Sequence, residues 1–226
     1  CDMSPELVDQ LSRLFKNLSD IVPTIIIAGN HDCNLNNRSR LDVLTPIVNN
    51  LNHPNLHYLK DSGVYKCADV SFVVWDCWTN EKDFILSDDV EGDTKVVLFH
   101  GTIDRAETDL GFRLPSDVHI DKFKGYDLGL LGDIHKRQFV NQEETIAYCG
   151  SLVQQNHGEG IGKGYLLWDV PKRKSEYIEI PNDFGYYTVY IEDGKLPNDL
   201  DNLPKKARLR VKVANTSGAE LKKCLA

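Results

Sequence analysis

Three short apolar segments each lead directly into glycine and into a side chain that can bind a metal. Residues 25–28, 96–99 and 128–131 are followed by Gly29-Asn30-His31-Asp32, His100-Gly101 and Gly132-Asp133-Ile134-His135. Such apolar runs are typical of strands covered on both faces in α/β proteins. Because α/β proteins build sites at the carboxyl ends of their strands, the pattern predicts an α/β fold whose polar turns meet at one sheet edge.

The rest of the chain alternates predicted helices and strands. Ser4-Pro5-Glu6 begins a helix predicted over residues 5–19, and a second helix over about 41–51 is expected to be bent or interrupted near Pro46. Further strands are predicted at residues 56–59, 63–67, 70–75, 94–99, 126–131, 137–140, 145–149 and 165–169. The mixture favours an α/β sandwich with two central sheets. Beyond a boundary near residue 182, strands at 186–191 and 208–213 and a helix from 218 indicate a second, smaller unit.

Charge and composition narrow the classes of function. The net charge of −8 argues mildly against a general polyanion binder, but a metal-filled site brings its own positive charge, so a nuclease stays open. The chain has no apolar run of about 18 residues and no signal peptide at its start, which predicts no membrane association. Its six cysteines form no Cys-x-x-Cys pair, and we expect buried free thiols in an intracellular protein.

Each polar turn also has an ordinary explanation. The Gly-Asn-His-Asp turn resembles a helix N-cap, and His100 resembles a satisfied histidine at a strand end. Asp133 and His135 are two residues apart, so in an extended segment their side chains point to one side. The order of the three turns, and their occurrence in one chain, favour a metal site over three unrelated structural features.

The same three turns resemble the last three of five signature motifs of calcineurin-like metallophosphoesterases. Residues 56–61, 149–159 and 164–169 narrow the resemblance to the nuclease subunit of SbcD-type DNA double-strand-break repair and recombination complexes. The resemblance covers residues 3 to about 180. It implies a four-layer α/β/β/α metallophosphoesterase sandwich, incomplete here, over residues 1–182, and the beginning of a small α/β DNA-capping domain over 183–226.

The resemblance also implies a chemistry. Two divalent metal ions, of the Mn²⁺ type and roughly 3.5–4 Å apart, would flank the scissile phosphate of DNA for exonuclease and endonuclease cleavage. Asn30, His100 and Asp133 would bind one ion, and His135 would bind the other. His31 would be catalytic, stabilising the transition state or protonating the leaving oxygen. Asp32 would support the turn that carries His31.

Two departures from the family pattern bear on activity. Many relatives have Gly-His-x-His where this chain has Gly-Asp-Ile-His, although Asp133 can ligate a hard cation through oxygen. The first two family motifs, one of which supplies the bridging carboxylate, do not occur in the chain. We therefore expect the chain to begin within a longer protein and to end in a helix cut short. We expect it to be weakly active or inactive by itself, retaining at most the half-site formed by Asn30, His100 and Asp133.

The family resemblance leaves other functions open and implies binding partners. A phosphatase acting on a small-molecule or protein phosphate ester, or a non-catalytic scaffold for a partner ATPase, remain open. The family implies DNA, an SMC-like coiled-coil ATPase of the SbcC type, and a homodimer, in the cytoplasm, nucleoid, nucleus or a virus-infected cell. The second predicted helix offers either a dimer surface or ordinary core packing through its apolar positions, which are Leu41, Val43, Leu44, Ile47, Val48 and Leu51.

Overall fold

The computed structural model describes residues 3–198 and 200–224, which form a mixed α/β structure. Helix α1 spans Pro5–Ile21 and begins as predicted, because the Ser4 hydroxyl accepts a hydrogen bond from the Leu7 amide and Pro5 occupies the first turn. Strands β1 (Thr24–Ile26) and β2 (Leu56–Tyr58) pair in parallel. Between them, α2 spans only Leu44–Leu51.

The prediction of a helix interrupted at Pro46 was wrong. Helix α2 starts at Leu44, so Pro46 lies in the first turn, where its missing N–H costs no helical hydrogen bond. Asp42 fixes this start, because its carboxylate accepts hydrogen bonds from the amides of Leu44 and Thr45 at 3.0 and 2.7 Å. Leu44 and Ile47 are buried against α1 and β2, whereas Leu41 precedes the helix and is exposed. The buried positions of α2 thus serve the core.

A six-stranded mixed sheet forms the centre of the chain. Its strands are β3 (Gly63–Cys67), β4 (Val70–Trp75), β5 (Thr94–His100), β6 (Leu128–Gly132), β7 (Gln138–Phe139) and β8 (Ile146–Tyr148). The order is β3-β4-β5-β6-β8-β7; the four inner strands run parallel, and β3 and β7 are antiparallel edges. The parallel order brings the carboxyl ends of β5 and β6 side by side.

Both faces of this sheet are covered, as the apolar sequences of β4 to β6 require. One face carries an aromatic cluster in which Trp75 stacks on Phe84 with ring centroids 4.3 Å apart. The other face, which includes Val96 and Leu98, packs against Ile25, Ile27 and Trp168. Ile25 lies in β1 and Ile27 directly follows it, whereas Trp168 lies in the strand Gly164–Asp169 that follows the sheet.

Four further strands and a helix complete the described chain. Strands β9 (Gly164–Asp169) and β10 (Lys174–Glu179) form an antiparallel hairpin, and β11 (Phe184–Glu192) and β12 (Lys206–Ala214) form a parallel pair before α3 (Gly218–Cys224). The α/β class is confirmed. The two predicted central sheets take the form of one six-stranded sheet and three two-stranded sheets. The predicted domain boundary falls between β10 and β11, and the end of the last predicted helix lies outside the described residues.

The described cysteines carry free thiols, and most of them are not buried. Of the cysteines described, all five are free thiols, but only Cys33 is buried; Cys67 and Cys149 are exposed, so the expectation of several buried thiols was wrong. Cys67 is the exposed last residue of β3, and Cys149 is exposed directly after β8, whose own residues are buried. No helix in the described part of the chain is both long and apolar enough to cross a membrane.

Candidate metal centre at the sheet edge

The three polar turns predicted from the sequence meet at one edge of the sheet. His100, the last residue of β5, pairs in register with Gly132, the last residue of β6, which places Asp133 beside the imidazole. His100 Nε2 lies 3.7 Å from Asp133 Oδ1, and Asn30 Nδ2 lies 3.4 Å from the same oxygen. Thr102 Oγ1 donates to the other carboxylate oxygen at 3.2 Å. Asn30, His100 and Asp133 therefore form one constellation, here called the edge triad.

Two glycines make room for the His100 ring. A Cβ on Gly29 would lie 2.7 Å from His100 Nε2, and a Cβ on Gly132 would lie 2.8 Å from His100 Nδ1. Side-chain carbons do not approach ring atoms this closely, so the imidazole fits between the two turns only because both residues are glycine.

Asp133 adopts an unusual backbone conformation, with φ at +90°. Left-handed backbone at a residue that is not glycine costs of order 1–3 kcal/mol and persists only where the surrounding structure imposes it. Here the imposition comes from β6, whose pairing with β5 and β8 fixes the chain up to Gly132. In this backbone conformation the Asp133 carboxylate lies beside Asn30 and His100.

The side-chain oxygen of Asn30 is buried and has no hydrogen-bond partner among the described residues. A buried carbonyl without a partner costs about 1–3 kcal/mol, so native structures rarely leave one without a reason. Hard divalent cations take carbonyl and carboxylate oxygens as ligands. The unpartnered oxygen of Asn30, next to Asp133, thus fits a cation at this position.

The turn that carries His31 is closed by Asp32. The Asp32 carboxylate accepts from the Gly29 amide at 2.8 Å, and the Asp32 amide donates to the Gly29 carbonyl at 3.0 Å. The N-cap explanation of this turn is wrong, because the next helix after the turn, α2, begins only at Leu44. His31 is exposed at the tip of the turn, where a substrate can reach it.

His135, whose side chain is 40% exposed, contacts a separate buried ion pair. Its Nδ1 lies 3.0 Å from Glu159 Oε1, and Lys163 Nζ lies 3.0 Å from Glu159 Oε2. The side chains of Glu159 and Lys163 are only 6% and 5% exposed. Lys163 also donates to the His135 carbonyl at 2.9 Å. Glu159 thus holds the His135 ring by Nδ1 and leaves Nε2 as the nitrogen free to bind a ligand.

Sequence reasoning missed this network. Glu159 stood in a segment used only for the resemblance, and Lys163 carried no expectation at all. The signal available in the sequence was an acid and a lysine at i, i+4 spacing within a glycine-rich run, which alone does not indicate contact with His135.

The electrostatics favour neutral imidazole and charged carboxylate. Burial lowers the pKa of His100, although the charges of Asp133 and Asp32 oppose this. For Glu159, burial alone would raise the pKa, but hydrogen bonds from His135 and Lys163 lower it. A neutral histidine and an ionised acid are the forms that bind metal ions.

Within residues 3–198 and 200–224, no three His, Cys, Asp or Glu side chains are grouped so as to hold a metal. An ion at the edge triad therefore needs the Asn30 oxygen as a ligand. His135 is not hydrogen-bonded to the edge triad and lines an adjoining cavity of about 330 Å³ with Asp133 and Glu159. The assignment of His135 to a second ion stays a prediction.

Comparisons with known proteins supply a relative but no activity. No family model matches the chain. The chain is 42% identical over 229 residues to Uncharacterized protein R555 of Acanthamoeba polyphaga mimivirus. The match covers 96% of this chain but only 17% of the mimivirus protein, so the chain spans about a sixth of that relative's length.

Proposed function

We propose that the chain carries part of the active site of a metal-dependent DNA phosphodiesterase, an exonuclease and endonuclease of the SbcD type. The observation that supports this most strongly is the edge triad with its unpartnered Asn30 oxygen. Amide oxygen, imidazole nitrogen and carboxylate oxygen together make a donor set suited to Mn²⁺. The four-layer sandwich and the capping role of residues 183–226 belong to the same proposal.

The residues have distinct roles in this proposal. Asn30, His100 and Asp133 hold one ion, and His135, oriented by Glu159, holds a second. When bound, such ions supply an activated water and stabilise charge on the phosphate oxygens. Exposed His31, held by the turn that Asp32 closes, donates a proton to the leaving oxygen.

Cleavage assays with a His31 variant test the proposal. A chimera places the two expected N-terminal motifs ahead of this chain and is incubated with labelled DNA and Mn²⁺. We expect cleavage that is lost, by about 10²–10⁴-fold, in His31→Ala. The matched control is His53→Ala, because His53 hydrogen-bonds to Asp20 on α1, in another part of the fold. Turnover of a small phosphate ester without DNA cleavage would favour the phosphatase instead.

A non-catalytic scaffold is the second candidate, and one observation favours it. The metal-binding groups of this chain divide into the edge triad and the His135–Glu159 pair, without a cluster of three His, Cys, Asp or Glu side chains in the described residues. Calorimetry with Mn²⁺ on the chain itself distinguishes the readings: one ion bound supports the half-site, and no binding supports the scaffold. Tight binding of two ions would contradict the half-site.

The proposed homodimer is better placed on α1 than on α2. Leu7, Leu14, Leu18 and Ile21 are between 41% and 79% exposed. With Leu11 they follow an alternating spacing of four and three residues, which is the spacing of a helix–helix seam.

A further inference from the structure

The β11–β12 pair carries aromatic and basic side chains on one face. Its strands are parallel and in register, so Phe184, Tyr186, Thr188 and Tyr190 stand opposite Lys206, Arg208, Arg210 and Lys212. Side chains alternate between the two faces of a strand, so these eight residues share one face. We call them the aromatic–basic face.

The two faces of this pair differ in what they present to solvent. On the opposite face, Val189 and Ile191 of β11 are buried, whereas Leu209 and Val211 of β12 are 51% and 41% exposed. The aromatic–basic face is solvated on both strands, because Tyr190 of β11 and the four cations of β12 are exposed.

Contacts within the face hold cations against rings. The Arg208 guanidinium lies 5.5 Å from the Phe184 ring centroid and 5.6 Å from that of Tyr186. Lys212 Nζ lies 5.5 Å from the ring of Tyr190, which is 62% exposed. These are cation–π distances.

The charges of the face are largely uncompensated. Lys206 pairs with Asp183 at 2.7 Å, whereas Arg208, Arg210 and Lys212 form no ion pair with any described residue. All four cations are exposed, and the chain as a whole has a net charge of −8. Positive charge is thus concentrated here against an acidic background.

We propose that the aromatic–basic face binds single-stranded nucleic acid, an inference that rests on the proposed function for the identity of its ligand. Exposed cations in a row attract a phosphate backbone, and exposed rings stack on bases. Duplex DNA offers base edges in its grooves, because its base faces are already stacked. Rings such as Tyr190 therefore select an unpaired strand.

The face is joined to the candidate metal centre by one loop. Tyr186 packs against the ring of His157 with centroids 4.9 Å apart, and buried Gln154 accepts a hydrogen bond from the Tyr186 amide at 2.8 Å. Two residues beyond His157, Glu159 contacts His135. The loop of residues 154–159 therefore contacts both the aromatic–basic face and His135.

Binding without metal tests the inference separately from cleavage. Fluorescence anisotropy in EDTA is measured with labelled oligo-dT of about 20 nucleotides and with a duplex of equal length. The face variant combines Arg208→Gln, Arg210→Gln and Lys212→Gln. The control variant combines Lys66→Gln, Lys82→Gln and Lys174→Gln, which remove the same charge elsewhere.

We expect oligo-dT to bind more tightly than duplex and the face variant to bind it at least tenfold more weakly. The slope of log affinity against log salt should become shallower by about 2, because each single-strand phosphate contact contributes about 0.7. Tyr190→Ala should weaken binding about fivefold or more without changing the slope.

Equal losses in the face and control variants, or equal affinity for duplex, would overturn the inference. Intact face-dependent binding in EDTA together with absent Mn²⁺-dependent cleavage would overturn the proposed nuclease and still support a nucleic-acid-binding face.

Discussion

Removing the Glu159 carboxylate should affect both stability and metal binding, for separable reasons. Glu159 and Lys163 are almost wholly buried, with 6% and 5% of their side chains exposed. Breaking a buried ion pair by deleting one partner costs about 3–5 kcal/mol, because the other charge stays buried. Because Lys163 keeps a hydrogen bond to the His135 carbonyl, we expect Glu159→Ala to lower the free energy of unfolding by about 3 kcal/mol, the lower end of that range. For a chain of this size the melting temperature should fall by roughly 6–12 °C.

Metal binding should fall because His135 loses the group that orients it. Deleting such a partner typically weakens affinity by about 10–100-fold. Two further variants separate the effects. Glu159→Gln keeps an acceptor for His135 Nδ1 and should retain most of the affinity. The double variant Glu159→Leu with Lys163→Met removes both charges and should recover most of the stability without recovering the affinity.

Thermal melting in EDTA and calorimetry with Mn²⁺ measure the two effects. Because the chain is expected to hold a half-site, calorimetry is carried out on the chimera used for the cleavage assay. A melting temperature for Glu159→Ala within about 2 °C of the wild type would refute the buried-pair argument. Wild-type Mn²⁺ affinity in the double variant would refute the orienting role of Glu159.

Two further predictions concern the edge triad and the start of α2. Asn30→Ala should weaken Mn²⁺ binding at least tenfold in calorimetry. The free energy of unfolding, measured with urea in EDTA, should stay the same or rise slightly, because a buried oxygen without a partner is removed. A large loss of stability would contradict this. Burial would raise the pKa of Asp42, but hydrogen bonds from Lys60 and Thr45 lower it to about 2, against 3.8 in the unfolded chain. The pKa is depressed on folding, so its stabilisation of about 2 kcal/mol is complete above pH 4 and is lost as pH falls towards 2. Asp42→Asn should therefore destabilise at pH 7 but not near pH 2 in urea unfolding, and an equal effect at both would contradict the assignment.

Local patterns were sufficient to predict the class of fold and the approach of His100 to Asp133. Asn30 follows β1, which pairs with β2 in a separate sheet, so the strand pattern alone does not place it beside them. Apolar runs give strands, and parallel strands must end at a common edge, so the residues after β5 and β6 become neighbours whatever lies between them. The extent of α1 followed from its cap and its apolar spacing. Neither inference needed long-range information.

The elements that were missed depend on contacts that hydrophobic periodicity does not report. Strand β10 reads Lys-Ser-Glu-Tyr-Ile-Glu, a polar segment that is extended because it pairs with β9. The start of α2 depends on the Asp42 carboxylate, which Lys60 also binds at 2.8 Å. The contact of Glu159 with His135 spans 24 residues and arises from the path of an irregular loop. Single-sequence periodicity carries no information on such contacts.

Three unusual features coincide at the edge triad, and their coincidence bears on the choice between enzyme and scaffold. Asp133 has a strained backbone, Asn30 has a buried oxygen without a partner, and the His100 ring fits only between two glycines. The first two features each cost of order 1–3 kcal/mol, and neither improves the packing of the sheet. A scaffold with no use for the site gains stability by relaxing them. A bound cation would offset both at once by ligating the Asn30 oxygen and the Asp133 carboxylate, which is why we propose a metal-binding site here rather than a scaffold without one.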